Sequence, residues 1–115
     1  MAALALVSGC ATAPSSETAL EAGTPGHLVL GHEVRSFSPC ENNIPLWLSG
    51  DPVLLAALVT RQRELIDDPY GETFARLVGT PGPKLSCAFC RGYPGSFEVT
   101  RVLEQRAATA DDCAP

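Results

Sequence analysis

Residues 27–37 read His-Leu-Val-Leu-Gly-His-Glu-Val-Arg-Ser-Phe, and this stretch decides the fold class. Most of its aliphatic residues share one parity, whereas Glu33 and Arg35 share the other, where we expect them to form a solvated charge pair. This alternation predicts one long, half-buried β-strand. Gly31 in the middle of the strand indicates a bulge or a sharp bend, as at the corner of a barrel.

The segments after this strand predict a helix and several shorter strands. Asp51 suits the N-cap and Pro52 the first helical position, and an apolar stripe at helical spacing follows until Pro69 ends the helix. We predict strands over residues 44–49, 73–79, 84–89 and 96–104, with turns at residues 38–43, 80–83 and 93–95. In the last strand Leu103 shares the inward parity of Phe97. This order predicts a mainly β (α+β) domain, a small OB-like or partly open β-barrel with one covering helix.

The composition limits the size and the partners of the protein. The chain has 115 residues, of which 45% are hydrophobic, and a formal net charge of -5, which supports one small domain. Because the charge is acidic and no run of Lys or Arg occurs, we predict no nucleic-acid partner. No apolar run approaches the roughly 18 residues that a membrane span needs.

The first ten residues end in Val7-Ser8-Gly9-Cys10. An aliphatic residue, two small residues and a cysteine resemble the lipobox of bacterial lipoprotein signal peptides. The resemblance implies that the Cys10 thiol carries a diacylglyceryl group and that the leader is removed before it. Residues 1–9 contain no Lys or Arg and only a short apolar run, so we interpret them as a truncated signal peptide. The alternative is an ordinary N-terminal segment with a chance cysteine.

The same resemblance predicts the location of the protein and its domain boundaries. It implies a lipid-anchored protein of the bacterial envelope that faces the periplasm. Ala11 stands where inner-membrane lipoproteins usually carry Asp, which favours the outer membrane. Residues 10–26 lack apolar periodicity and are interpreted as the lipidated cysteine with a flexible tether, so residues 27–115 are predicted to form the folded domain.

Four cysteines remain once Cys10 is assigned to lipid, namely Cys40, Cys87, Cys90 and Cys113. An even number of cysteines in a small exported domain predicts two disulfide bonds. Three pairings are possible, and the sequence does not choose among them. A Cys40–Cys113 bond would close a long loop, whereas a Cys87–Cys90 bond would close a very small ring.

The motif Cys87-Ala88-Phe89-Cys90 has two alternatives to a disulfide. It resembles the Cys-Ala-x-Cys segment of NlpE-like copper-resistance and envelope-stress lipoproteins, which implies metal binding by Cys87 and Cys90. Two soft ligands do not complete a closed site, so His27 or His32 would have to converge with them. A redox-active pair of the thioredoxin type is the other alternative, but the Gly and Pro residues that follow indicate a turn rather than a helix.

The sequence carries no recognisable catalytic motif. His32 shares the parity of the inward aliphatic residues, which favours a structural histidine, and no second His follows Glu33 at the spacing of a zinc protease. Trp47 is expected to pack in the core or at the mouth of the barrel. A P-loop, a nucleophile elbow and a dinucleotide fingerprint are all absent from the sequence. We therefore predict that the protein is not an enzyme and has no cofactor.

The tract over residues 31–37, with Pro39-Cys40 and then Trp47, is similar to a recurring pattern in bacterial envelope lipoproteins that carries no known activity. The resemblances together imply a non-catalytic binding or structural role at the membrane surface. The predicted partners are the membrane, through the anchor, and an envelope protein or a glycan. The alternative is a copper-binding or envelope-stress-sensing lipoprotein that uses Cys87 and Cys90.

Overall fold

A computed structural model describes residues 22–114, which form five β-strands and one complete α-helix. The elements are β1 (Thr24–Gly31), β2 (Val34–Pro39), β3 (Leu46–Gly50), α1 (Pro52–Leu65), β4 (Glu72–Gly82) and β5 (Ser96–Ala107). The first described strand begins at Thr24, three residues before the start that we predicted for the domain. The predictions for residues 1–21, including lipid attachment at Cys10, lie outside the described residues.

The five strands form a closed barrel in the order β1-β2-β3-β5-β4, in which β4 pairs back to β1. Strands β3 and β5 run parallel, and the other neighbouring pairs run antiparallel. This order, with the helix between β3 and β4, fits a five-stranded OB-type barrel. The predicted small barrel with one covering helix is confirmed, and the barrel is closed rather than partly open.

The stretch over residues 27–37 is a hairpin, and our prediction of one long strand was wrong. Gly31 ends β1 and pairs with Val34, the first residue of β2, across a two-residue turn. Glu33 in this turn has a φ of 66°, the left-handed backbone that such turns use. A β-carbon on Gly31 would lie 2.7 Å from the carbonyl oxygen of Pro69, so the glycine permits close packing rather than forming a bulge.

The barrel interior is filled by aromatic and aliphatic side chains. Phe37 and Phe97 are fully buried, and their ring centroids lie 4.9 Å apart. The other buried members of this core are Leu28, Leu30, Leu48, Leu58, Ala75, Leu77 and Val99. Leu58 comes from α1, so the helix covers the barrel as its apolar stripe predicted.

The helix begins as predicted and ends earlier than predicted. The carboxylate of Asp51 accepts a backbone N–H of the first turn at 2.8 Å, and Pro52 is the first helical residue. The helix ends at Leu65, before it reaches Pro69. The backbone of Ile66 is already extended, with φ -142° and ψ 154°, so the chain turns back toward β4 without needing the proline as a stop.

Strands β4 and β5 form a longer ladder than the sequence predicts. β4 continues through Pro81 to Gly82, where we expected a turn. Beyond Leu77 this strand no longer pairs with β1, so a proline without an N–H can be accommodated on the open side. β-bulges leave Thr100 and Leu103 without partners in the register, and the bulge at Thr100 changes the parity of β5 before Leu103 is reached. Leu103 is consequently 39% exposed, and its predicted inward position was wrong.

Candidate functional site

The outer face of β2 and β3 carries the single tryptophan of the chain. Trp47 lies in β3 between two leucines that face the core, so its side chain lies on the opposite side of the strand, beside Ser36 of β2. It is nevertheless only 8% exposed, because neighbouring side chains cover the indole ring. The guanidinium carbon of Arg35 is 5.1 Å from the centre of the indole ring. The ring of Tyr93 meets the indole edge to face, with centroids 5.4 Å apart. We call Arg35, Trp47 and Tyr93 the Trp47 face.

The loop over residues 83–95 connects β4 to β5 and supplies Tyr93 to the Trp47 face. The ammonium group of Lys84 donates to the carbonyl oxygens of Arg91 and Tyr93. The hydroxyl group of Ser96 donates to the carbonyl oxygen of Pro83 at 2.7 Å, which joins the two ends of the loop. The strand predicted over residues 84–89 is wrong, because residues 84–86 have no regular structure and the chain then bends at Cys87 and turns at residues 88–90. These bonds hold Tyr93 against the indole ring.

The Cys87-x-x-Cys90 motif lies in this loop and forms a disulfide bond. Cys90 is buried and Cys87 is exposed, and the N–H of Cys87 donates to the sulfur of Cys90 at 2.8 Å. Sulfur atoms joined in a disulfide are not thiolates, and the thiolate is the form that binds soft metals. Among residues 22–114, no group of three or more His, Cys, Asp and Glu side chains is placed to hold a metal ion. The copper-binding alternative therefore requires the reduced form and stays a prediction.

The second disulfide joins Cys40, just after β2, to Cys113, near the end of the described chain. The two α-carbons are 5.2 Å apart, and 73 positions separate the cysteines in the sequence. The N–H of Cys40 also donates to the carbonyl oxygen of Pro25 in β1 at 2.9 Å. Of the three pairings that the sequence allows, the structure has Cys40 with Cys113 and Cys87 with Cys90, and the first bond ties the C-terminal segment to the barrel.

A histidine and a carboxylate lie beside this second disulfide. His27 projects from β1, and its Nε2 atom is 3.2 Å from Oδ2 of Asp112. The Nδ1 atom of the same ring is 3.9 Å from the sulfur of Cys113. The ring of Phe74 on β4 packs edge to face against the imidazole, with centroids 6.0 Å apart. The imidazole therefore lies between the carboxylate and the disulfide sulfur.

Asp112 is the electrostatic centre of this cluster, and its side chain is fully buried. Burial raises its pKa, but hydrogen bonds from the N–H and the hydroxyl group of Thr109, from Arg106 and from His27 together hold that pKa well below the usual carboxyl range. The Nη1 atom of Arg106 lies 2.8 Å from Oδ1 of Asp112, and this bond raises the pKa of the guanidinium group. Arg106 also contacts Glu104 at 3.0 Å. Asp112 is thus ionised in the folded protein at neutral pH.

The substitution Asp112→Asn is expected to remove part of the acid sensitivity of the fold. Because the pKa of Asp112 is lowered on folding, its carboxylate stabilises the fold above about pH 4, the usual carboxyl range, and this contribution is lost as the pH falls further. The variant should be less stable at pH 7 and should lose less stability between pH 4 and pH 2. Urea unfolding across this range measures both effects.

The neighbouring variant Asp111→Asn is the matched control, because Asp111 is exposed. This control should keep the acid dependence of the wild-type protein. Equal acid dependence of Asp112→Asn and the wild type would show that the buried carboxylate contributes nothing to the pH response.

His32 lies in the β1–β2 turn and is not the buried structural histidine that we predicted. Its side chain is 86% exposed, and its Nε2 atom is 3.5 Å from the carboxylate of Glu33. Arg35 contacts Trp47, so the predicted pairing of Glu33 with Arg35 was also wrong. Both errors follow from the hairpin, which moves residues 32–33 out of the sheet.

A cleft of about 600 Å³ lies between this turn and the end of α1. Its walls include Leu30 and Val59, and its rim includes His32 and Asp67. Gln62 also lines the cleft, but its amide oxygen and nitrogen already bond to neighbouring groups, Thr73 and Gly71. The amide group of Gln62 is therefore already engaged within the fold.

We predicted no role for Asp112, and we predicted His27 only as a candidate metal ligand. These residues are 85 positions apart, and their contact depends on the Cys40–Cys113 bond and on the closure of the barrel. The only available signal was the acidic pair Asp111-Asp112 immediately before a cysteine. The side chains of such a pair in a polar C-terminal segment usually face solvent.

Comparison of the chain with known protein families, with curated proteins and with solved structures found no match in any of the three. Within the part of the chain that the structure describes, no helix is both long enough and apolar enough to span a bilayer.

Proposed function

We propose that this protein is a lipid-anchored, non-catalytic binding module of the bacterial envelope. Cys10 carries the acyl anchor, residues 11–23 connect it to β1, and the barrel presents the Trp47 face to a glycan. Anchoring confines the barrel to a thin layer beside the membrane and raises its effective concentration for partners there.

The cysteine arrangement is the observation that carries this proposal. Cys40, Cys87, Cys90 and Cys113 are all used in two disulfides. Disulfide-bonded small domains are typical of oxidising compartments, which include the bacterial periplasm. The fifth cysteine, Cys10, is the one that ends the lipobox-like sequence. Pairing of the other four leaves this position for lipid attachment rather than for a cross-link.

The Trp47 face supports a glycan as the partner. OB-type barrels bind oligonucleotides and oligosaccharides on the outer face of β2 and β3 and with the loops beside it. The net charge of -5 disfavours an oligonucleotide. The indole of Trp47 is covered by Arg35 and Tyr93, so the partly exposed ring of Tyr93 is the amphipathic surface that a sugar ring can contact. The guanidinium group of Arg35 offers several hydrogen-bond donors to sugar hydroxyl groups.

The fluorescence of Trp47 is expected to change when the protein is titrated with glycan strands from bacterial cell walls. Trp47 is the only tryptophan, so the emission reports on this face alone. The variant Arg35→Ala should weaken binding by about tenfold or more, because it removes charge-assisted hydrogen bonds. Arg63→Ala, which changes an exposed arginine on α1, is the matched control and should bind like the wild type.

An emission spectrum that stays unchanged up to millimolar glycan would contradict the glycan proposal. Retention of a purified envelope protein by the immobilised barrel, with loss of that retention in Arg35→Ala, would indicate a protein partner on the same face instead.

The substitution Cys10→Ser is expected to move the protein from the membrane fraction to the soluble periplasmic fraction of the source cells. The change removes the sulfur to which the lipid would be attached and leaves the barrel intact. Fractionation followed by immunoblotting measures the distribution. Ser8→Ala, which keeps a small residue before the cysteine, is the control and should stay with the membrane. Wild-type protein in the soluble fraction would contradict the anchor.

A further inference from the structure

We infer that the Cys40–Cys113 disulfide is a thiol–disulfide exchange site, in which His27 passes a proton to and from the sulfur of Cys113. Cys113 is exposed and Cys40, whose sulfur is attacked, is only partly buried, so an external thiol can reach this bond. The Nδ1 atom of His27 lies 3.9 Å from the Cys113 sulfur. This inference goes beyond the binding role and does not depend on the lipid anchor.

The orientation of the imidazole is fixed by its other nitrogen. The buried carboxylate of Asp112 lies 3.2 Å from Nε2 of His27 and accepts a hydrogen bond from the N–H at this atom. Thr109 and Arg106 in turn hold the carboxylate in place. With Nε2 bonded to the carboxylate, Nδ1 is the atom that faces the sulfur. A protonated imidazole then presents an N–H to Cys113, and a neutral one presents a lone pair.

The exchange step uses an external dithiol as the reductant. One thiolate of the dithiol attacks the sulfur of Cys40 and forms a mixed disulfide, while the bond to Cys113 breaks and its electron pair goes to the Cys113 sulfur. The imidazolium of His27 gives its Nδ1 proton to this leaving thiolate. The second thiolate of the dithiol then attacks the mixed disulfide and releases Cys40. The dithiol is oxidised by two electrons, and the Cys40–Cys113 pair is reduced by two.

Other charged groups around the imidazole are arranged in pairs. Arg106 on β5 binds Asp112 and Glu104, and Arg76 on β4 lies 3.7 Å from Glu104. The imidazole itself faces the carboxylate of Asp112, the ring of Phe74 and the sulfur. His27 is therefore the proton-donating side chain that directly faces the Cys113 sulfur.

The second disulfide provides an internal reference. Cys87 is exposed, as Cys113 is, and both bonds can be attacked by the same reductant in the same sample. Neither histidine contacts the Cys87–Cys90 bond among the hydrogen bonds of residues 22–114, since His27 bonds near Cys113 and His32 lies at the β1–β2 turn. Both rates depend equally on the fraction of the reductant that is ionised to thiolate. The ratio of the two reduction rates therefore does not depend on that fraction.

The test is reduction of the folded full chain by limiting dithiothreitol, quenched with iodoacetamide and read by peptide mass spectrometry. In the wild type, the rate of Cys40–Cys113 reduction relative to Cys87–Cys90 should fall by about tenfold as the pH rises from 5 to 8, the range in which histidine side chains in general lose their proton. A ratio that does not change with pH would overturn the proposal without any variant being needed.

The variant His27→Gln separates proton transfer from packing. Loss of proton transfer should slow reduction of Cys40–Cys113 by about tenfold at pH 6 and leave the Cys87–Cys90 rate unchanged. If His27 serves only to pack the C-terminal segment, its replacement loosens that segment, and the Cys40–Cys113 bond is reduced faster. A rate for Cys40–Cys113 that is equal or higher in His27→Gln would therefore overturn the proposal. Faster reduction of both bonds would reveal unfolding, and the wild-type pH profile would then decide.

Discussion

Replacing Cys40 and Cys113 together with alanine is expected to lower the free energy of unfolding by about 4 kcal/mol. The two cysteines are separated by 73 positions in the sequence. A disulfide between them restricts the conformations of the unfolded chain and so stabilises the folded state. For a domain of this size the loss corresponds to a fall in Tm of about 20 °C. Because small domains are only marginally stable, this is a large share of the total stability.

The Cys87→Ala, Cys90→Ala double variant is the matched control. Its bond joins residues separated by only 3 positions, so the chain-entropy contribution is about 2 kcal/mol or less. Thermal and urea unfolding followed by circular dichroism compare the two variants with the wild type. A larger loss for the Cys87 pair than for the Cys40 pair would contradict the assignment of the long-range bond as the main covalent support of the fold.

Phe97→Ala is expected to lower the free energy of unfolding by about 3–5 kcal/mol, the usual cost of removing a large buried aromatic side chain. Phe97 is 1% exposed and packs against Phe37 inside the barrel, where the surrounding strands cannot collapse into the space. Urea unfolding measures the change. Phe89→Ala removes the same side chain at a position that is 53% exposed and should change stability by less than about 0.5 kcal/mol.

Equal effects of Phe97→Ala and Phe89→Ala would show that the barrel interior is not the stabilising core. A loss of stability in Phe89→Ala alone would show that the main hydrophobic contacts lie in the β4–β5 loop and would contradict the packing of the barrel.

The sequence predicted the barrel because its strongest local signals were correct. The Asp51-Pro52 start and the apolar stripe identified the helix, and the short alternating segments on either side of it predicted the strands. Five predicted strand segments and one helix in so short a chain left few architectures other than a small barrel. The closure of the barrel and the pairing of β3 with β5 depend on long-range contacts that alternation does not reveal.

The error at residues 27–37 has a specific cause. Across a two-residue turn the inward face changes parity, so Leu28 and Leu30 face the core together with Phe37. Phe37 has the opposite parity to those leucines, and this mismatch was the signal for a turn. A His-Glu pair is an unusual turn sequence, because Glu33 must adopt a positive φ. Local residue preference therefore favoured a continuous strand.

The cluster around Asp112 could not be predicted for a different reason. It gathers residues from β1, β4, β5 and the C-terminal segment, and no local pattern connects them. The cysteines were the one long-range signal in the sequence, and they left three pairings open. Only the Cys40–Cys113 pairing brings Asp112 to His27.

The intact mass of the protein purified from membranes of its source cells tests the central proposal most directly. We expect a chain that begins at Cys10, carries the mass of a diacylglyceryl group on that residue, and has lost four hydrogens to the two disulfides. A chain with an unmodified Cys10, or one that still carries residues 1–9, would contradict a lipid-anchored envelope protein.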